Sequence, residues 1–338
     1  MLFNKATVFS DIHFGKKNNE RRYNIDCEEF IKWFIEESKA FGSEICIFLG
    51  DWHDNRKFIN VSTLNYSNSS LRLLNDSFDQ VFLIIGNHDL FYREKREINS
   101  IEFAKNLKNI KVINDIEIID DCSFIPWLMK EEVDRVKSIE SKFMFGHLEI
   151  SKFKINENNI MDDSALLKIE DLKNNDFVFS GHFHLRQNMK NVYYIGNAFP
   201  QNFNDNFDTN KGMMFLNGDG SFFFKSWPKQ PKYYAFNLSL IDDVKDLLDE
   251  NCYVRIYMDI NVSYEDATKL REEIMEKYNV RDISLTPVQK EINIGNLSEV
   301  DFSKMKTVDE IVIESLKTLE EDSEILIEIY KSLEVSET

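Results

Sequence analysis

Five times in its first two-thirds this chain repeats one phrase: an apolar run of strand length, a small residue, and then at once Asp, Asn or His. ATVFS runs into Asp11-Ile-His13, and ICIFLG into Asp51-Trp-His53-Asp54. VFLIIG runs into Asn87-His88-Asp89, KFMFG into His147, and FVFSG into His182-Phe-His184. All 6 histidines of the 338-residue chain fall in these segments. The runs are continuous rather than alternating, the pattern of strands buried on both faces. Helix-like stretches lie between several of them. IDCEEFIKWFIEESKAFG carries Ile31, Phe34 and Ile35 on one face and stops at Gly42, and SSLRLLNDSF is a second candidate. Strands alternating with helices predict an α/β sheet covered by helices. Ligands of such sheets bind beyond the carboxyl ends of the strands, so the histidines are expected together on one rim.

The length suits one large domain with an appendage, and an apolar content of 43% suits a packed core. No apolar run is long enough to span a membrane, so no membrane partner is expected. KATVFS starts as a strand, without the pattern of a secretory leader. Cys27, Cys46, Cys122 and Cys252 are scattered and are expected as reduced thiols of a cytoplasmic protein. The net charge of −18 argues against a simple basic nucleic-acid binder. The acidity is uneven. Residues 1–229 hold 29 Lys+Arg against 34 Asp+Glu, a net of −5, whereas residues 230–338 hold 12 against 25, a net of −13.

Further along, VYYIGNAFPQNF (192–203) reads as a strand entering a loop, and GMMFLNGDGSFFFKSW (212–227) as a hairpin. Residues 252–287 read as strand, helix, strand, with Ser263 and Asp266 as a capping box opening a helix to about Lys277. A polar linker follows, and then two amphipathic helices near 306–319 and 323–334. The expected organisation is a main domain over 1–228, a small α/β module over 229–290, and a linker with a helical tail over 291–338.

The rim set is Asp11, His13, Asp51, Asn87, His147, His182 and His184. Imidazole, carboxylate and amide oxygen donors suit divalent metals, and this set suffices for two ions sharing one carboxylate. Two ions about 3.5–4 Å apart clamp the attacking and leaving oxygens of a phosphoryl displacement. Asp51, directly after Gly50, is the expected bridge. His182 and His184, at i and i+2, project to one side of an extended segment and reach neighbouring ions.

Asp11-x-His13, Gly50-Asp51-x-x-Asp54, Gly86-Asn87-His88-Asp89, Gly146-His147 and Gly181-His182-x-His184 resemble the motifs of the calcineurin-like metallophosphoesterases, over about residues 1–200. The resemblance implies a β-sandwich flanked by helices. It implies one metal on Asp11, His13, Asp51 and His184, and another on Asp51, Asn87, His147 and His182. His88 is then no ligand but the group that protonates the leaving oxygen or stabilises the transition state, with Asp89 holding its ring. His53 departs from the pattern, because related nucleases place a histidine where this chain has Asp54. It either faces the substrate phosphate or packs beside the metals.

IPW (125–127), YIGNAFPQNF, the α/β module and the helical tail further resemble the SbcD-type DNA nucleases, and in wording the recombination nucleases of T-even-like bacteriophages. That resemblance implies a manganese-dependent exonuclease and endonuclease acting on double-stranded DNA ends and single strands, with Mg²⁺, Fe²⁺ or Zn²⁺ as other ions the ligands accept. It implies an SMC-like ATPase partner, a homodimer, a part in recombination and break repair, and a place in the host cytoplasm if phage-encoded. The tail stripe of Val308, Ile311, Val312, Ser315, Leu319, Ile325, Leu326, Ile329 and Leu333 suits folding back on the protein's own body or docking on a coiled coil, and the resemblance favours docking on that ATPase. The rival readings are a phosphatase for small-molecule or protein phosphoesters, and a scaffold that binds no metal. Lys16, Lys17, Arg21, Arg22 and the REKR run at 93–96 either attract phosphates or are solvated. The Asn- and Gln-rich loop 197–206 is read as a DNA-backbone contact, and Trp52 and Trp127 as packing residues.

Overall fold

The computed structural model describes residues 1–205, 210–260 and 264–287. The chain opens with strand β1 (Lys5–Phe9), helix α1 (Arg21–Phe41), β2 (Ile45–Phe48), helix α2 (Val61–Ser77) and β3 (Gln80–Ile84). A hairpin of β4 (Leu90–Tyr92) and β5 (Lys95–Asn99) follows, then β6 (Ile110–Ile113), β7 (Glu117–Ile119), β8 (Cys122–Ile125), β9 (Phe143–His147) and β10 (Phe177–Gly181). The domain closes with β11 (Gln187–Met189), β12 (Val192–Tyr194), β13 (Gly212–Asn217) and β14 (Phe222–Ser226). The module beyond has β15 (Lys232–Asn237), β16 (Cys252–Met258), helix α3 (Tyr264–Tyr278) and β17 (Asp282–Pro287).

The strands form two six-stranded sheets, β14-β13-β1-β2-β3-β6 and β11-β12-β10-β9-β8-β7. Their inner faces meet through aromatic side chains. Phe82 stacks on Phe124 with ring centroids 4.5 Å apart, and Phe222 meets Phe179 edge-on at 5.2 Å. Helices α1 and α2 cover the outer face of the first sheet through Phe30, Phe34, Leu71 and Leu74. The fold is therefore an α/β sandwich flanked by helices. Strands β1, β2 and β3 run parallel, as do β8, β9 and β10, so both sheets send carboxyl ends to a rim.

Helix α1 is amphipathic, burying Tyr23, Cys27, Phe30, Ile31, Phe34 and Ile35. Gly42 ends it in the left-handed conformation at φ 78°, as the sequence leads one to expect. Helix α2 begins at Val61, eight residues before the apolar pattern suggests. Its first turns bury Thr63 and Ser67 instead of apolar side chains. The Thr63 hydroxyl is bonded to Asn24 and Asn19, and that of Ser67 to Trp52 and His53. A helix face that buries hydrogen bonds leaves no hydrophobic period to read.

The 212–227 hairpin and the strand–helix–strand of the module are present, and β15 adds a third parallel strand that the sequence reading omits. The module packs its own core around Leu238, Val254, Ile256, Ile274 and Ile283. The Ser263 cap and both tail helices lie outside the described residues. All four cysteines are buried and free. Among the described residues no helix is long and apolar enough to cross a membrane.

Candidate metal centre

The five polar segments leave the two sheets at one rim and are laced to one another by backbone hydrogen bonds. Asp11 N–H donates to the Gly50 carbonyl at 3.0 Å, and His13 N–H to that of Asp51 at 3.1 Å. Strand β9 lies in register with β10, placing His147 beside Gly181. Asp11, His13, Asp51 and His182 take positive φ of 50°, 53°, 63° and 89°. Such conformations cost roughly 1–3 kcal/mol each in a residue other than glycine and persist where the surroundings over-determine them. The turns thus throw side chains inward at close quarters. A Cβ on Gly86 would fall 2.2 Å from Asp51 Oδ1, and one on Gly50 2.4 Å from His147 Nδ1. Glycine ahead of the ligand position is therefore a packing requirement.

Among the described residues three groups of donors result, each with donor atoms within 4.8 Å of one another: Asp11, His13 and His184; Asp51, His147 and His182; and His13, Asp51 and His88, which shares a member with each of the others. His13 Nε2 stands 3.3 Å from His184 Nε2. Asn87 Oδ1 is 3.0 Å from His147 Nε2 and 3.1 Å from His182 Nδ1. Asp51 Oδ2 lies between the groups, 3.4 Å from His147 Nε2 and 3.7 Å from His13 Nε2. Donors about 3.0–3.4 Å apart are what one cation with ligand bonds of about 2.0–2.1 Å brings together.

The residues fit a pair of divalent cations. Imidazole nitrogens facing each other offer no hydrogen bond unless one is protonated, whereas a cation satisfies both. His147 Nδ1 donates to the Leu49 carbonyl at 2.7 Å, which fixes the tautomer and turns the Nε2 lone pair to the cluster. His13 Nδ1 is buried without a hydrogen-bond partner among the described residues. Burial raises the Asp11 carboxyl. Burial would also raise Asp51, but His147, followed by His13 and His88, holds it well below the ordinary carboxylate range. Burial would lower His147, yet Asp51 and Asp11 keep it at about 9. Two carboxylates this deeply buried call for positive charge between them.

His88 stands at the edge of the cluster, its ring 4.8 Å from that of His13. Its Nδ1 donates to the Asp54 carbonyl at 2.7 Å, and its backbone N–H to Asp51 Oδ1 at 2.8 Å. The Asp54 carbonyl, not Asp89, thus orients the ring. Asp89 does something else. Its buried carboxylate accepts the backbone N–H groups of Asp51, Trp52, His53 and Gly86 at 3.0–3.1 Å. It latches the β2 and β3 turns into one unit. Alanine at Asp89 leaves four buried donors bare, and a loss on the order of 4 kcal/mol in denaturant unfolding is expected. A loss below about 1 kcal/mol would refute the latch.

His53 is outside the cluster. Its ring nitrogens engage Ser100 Oγ at 2.9 Å and Ser67 Oγ at 2.8 Å, and burial pushes it down to about 3. Trp52 is fully buried, its indole N–H donating to Ser67. Trp127 is half-buried against the His182 ring, centroids 4.9 Å apart. In the Asn- and Gln-rich loop, Asn197 and Gln201 turn inward rather than outward, and Gln201 Nε2 donates to the Asp11 carbonyl at 2.5 Å. Asn202, Asn204 and Asp205 line a cavity of about 420 Å³ beside His182 and His184. Of the REKR run, Arg96 is committed to Glu132 and to the Trp127 carbonyl. No motif in the sequence singles out Lys211, whose buried ammonium donates to the His184 carbonyl at 2.6 Å. Its only signal was a lysine opening an apolar hairpin strand.

The family model of the calcineurin-like phosphoesterases matches residues 5–186, which contain every one of these donors. Exonuclease subunit 1 of Enterobacteria phage T4 is 27% identical over 349 residues, covering 99% of this chain and 99% of that protein. Among solved structures, a nuclease called MPE from Pseudomonas putida matches 53% of this chain at 16% identity and a TM-score of 0.28, and this chain spans only 61% of it. A dimetal phosphatase from Danio rerio matches 63% of this chain and 92% of its own, at 11% identity and a TM-score of 0.43.

Proposed function

This chain belongs to the calcineurin-like phosphoesterases, metal-dependent phosphoester hydrolases with a dimetal centre, and from that premise we propose that it is a DNA nuclease. We assign it manganese-dependent exonuclease and endonuclease activity on duplex ends and single strands, as the nuclease subunit of a complex with an SMC-like ATPase. Its setting is recombination and double-strand-break processing in the cytoplasm of a phage host. The supporting observation is that the likeness to a phage exonuclease subunit runs through 99% of both chains, the small module and the tail included. An enzyme for small phosphoesters has no evident need of either. We read residues 229–290 as the cap that contacts DNA and 291–338 as the segment that binds the ATPase.

In this reading Asp11, His13, Asp51 and His184 hold one cation, and Asp51, Asn87, His147 and His182 the other. Bound there, the cations neutralise the phosphoryl oxygens and acidify the attacking water. The chain supplies the rest. The Asp89 latch fixes the Asp51 turn, and the Leu49 carbonyl fixes the His147 tautomer. The Asp54 carbonyl holds Nδ1–H of His88, leaving Nε2 to carry the proton for the leaving 3′ or 5′ oxygen. No side chain need form a covalent bond to phosphorus. His53 acts through the fold, bracing α2 against the hairpin.

The test is cleavage of end-labelled linear duplex in Mn²⁺, with a small phosphodiester in parallel. Shortening of the duplex is expected. Hydrolysis of the small diester with no DNA cleavage would remove the nuclease reading while leaving the phosphoesterase chemistry in place.

A further inference from the structure

A cleft of about 610 Å³ adjoins the metal centre, walled on one side by the turn after His13 and on the other by strands of the small module. Two hydrogen bonds connect it to the centre: Gln201 Nε2 donates to the Asp11 carbonyl at 2.5 Å, and Lys16 Nζ donates to Gln201 Oε1 at 2.8 Å. Lys16, Lys17 and Arg281 all line the cleft, in a chain whose net charge is −18. Glu20 and Asp282 stand on the same rim. Arg281 is already neutralised by the buried Asp26. Lys17 is different. Its Nζ lies 3.0 Å from the Tyr253 ring centroid and 4.9 Å from that of Tyr233, over two rings stacked at 4.9 Å.

Lys17 makes no ion pair with a described carboxylate, and burial, its largest influence, holds its ammonium down at about 8. A cation partly desolvated on an aromatic face keeps donors that want an anion. The Tyr233 hydroxyl is buried on the same wall with no hydrogen-bond partner among the described residues. Buried polar groups of this kind need a partner. The turn that presents Lys17 is itself strained, with Lys17, Asn18 and Asn19 at φ 54°, 56° and 63°. That turn carries Lys17 to the wall of the cleft.

We propose that the cleft is a second phosphate subsite for a nucleic-acid strand whose scissile phosphate lies at the metal centre, with the Lys17 ammonium and the Tyr233 hydroxyl as its donors. The proposal rests on the nuclease reading and adds to it the path the strand takes away from the metals. Lys16, which donates to Gln201 and stands 3.7 Å from Asp54, lies along the way between the two positions.

The experiment measures binding of a fluorescent 12-nucleotide oligo(dT) to the full chain in Ca²⁺ between 50 and 200 mM NaCl. Lys17→Ala is expected to weaken binding about fivefold and to reduce the slope of log K against log salt by about 0.7, the contribution of one phosphate on a single strand. Lys17→Arg restores both. Lys105→Ala, a surface lysine paired with Glu102, changes neither. An unaltered slope in Lys17→Ala overturns the subsite. So does an equal loss in that variant of hydrolysis of bis(p-nitrophenyl) phosphate, a diester too short to reach the cleft, since Lys17 would then only brace the turn. If the wild type hydrolyses that diester but binds no oligonucleotide, the nuclease reading falls and takes the subsite with it. If the wild type cuts the oligonucleotide and Lys17→Ala binds it normally, the subsite alone falls.

Discussion

Asp51→Asn is expected to empty both metal positions and to abolish phosphodiester hydrolysis. The expectation follows from where the two carboxylate oxygens go. Oδ2 stands between His147 Nε2 and His13 Nε2, one from each donor group, and Oδ1 receives the His88 backbone N–H. The remaining donors at each position are imidazoles, the Asn87 amide and, on one side only, Asp11, so that Asp11 alone among them can carry negative charge. Removing the shared negative charge weakens both ions at once, well beyond the roughly 10–100-fold that losing an outer hydrogen-bond partner costs in metal affinity. Asparagine is the substitution of choice because it tolerates the left-handed backbone at φ 63°. A folding failure is therefore not confused with a metal failure. Elemental analysis of dialysed protein reads the result: two Mn²⁺ per wild-type chain and fewer than one in the variant. Two ions retained by Asp51→Asn would show that Asp51 bridges nothing.

The sequence made this centre unusually legible because its chemistry is written at strand ends. Each apolar run in the first two-thirds of the chain became a strand, and β2 delivers Asp51 one turn beyond Phe48. Period and position were enough there. Asp89 shows where they were not. An acidic residue next to His88 invites the inference that it orients that ring, yet it faces the other way and gathers four backbone N–H groups from two turns. His53 misled in the same manner. It follows Trp52 directly and is one residue removed from Asp51, and the tight turn at Asp51, φ 63°, rotates it out of the cluster toward Ser67 and Ser100. Turn geometry decides which of several adjacent polar side chains points inward, and neighbouring letters carry little of it. Helix α2 adds a second cause. Its buried hydroxyls, which receive Trp52 and His53, leave no apolar period. The Lys17 cleft needed strands more than 200 residues away, Tyr233 and Tyr253, which no local pattern connects to the first ligand motif.

His88→Ala is expected to lower kcat on DNA by about 10²–10⁴-fold, the range for loss of a positioned general acid, while both cations stay bound. The separation of the two effects comes from the geometry. His88 touches the Asp54 carbonyl through Nδ1 and Asp51 through its backbone N–H, and alanine preserves the second bond. The Asp51 turn, and with it the donor set proposed for the cations, is therefore kept. The leaving group then tells what the lost imidazole was doing. A deoxyribose oxygen is a poor leaving group and needs the proton, whereas p-nitrophenolate leaves without one. If His88 is the acid, the loss on bis(p-nitrophenyl) phosphate stays within about tenfold, because the step the proton assists is no longer demanding. An equal loss on both substrates would make His88 a stabiliser of transition-state charge instead of a proton donor. His88 also stands within ligand distance of His13 and Asp51. Loss of a cation from His88→Ala would therefore make it a ligand and overturn the division of roles between it and the seven residues of the cluster.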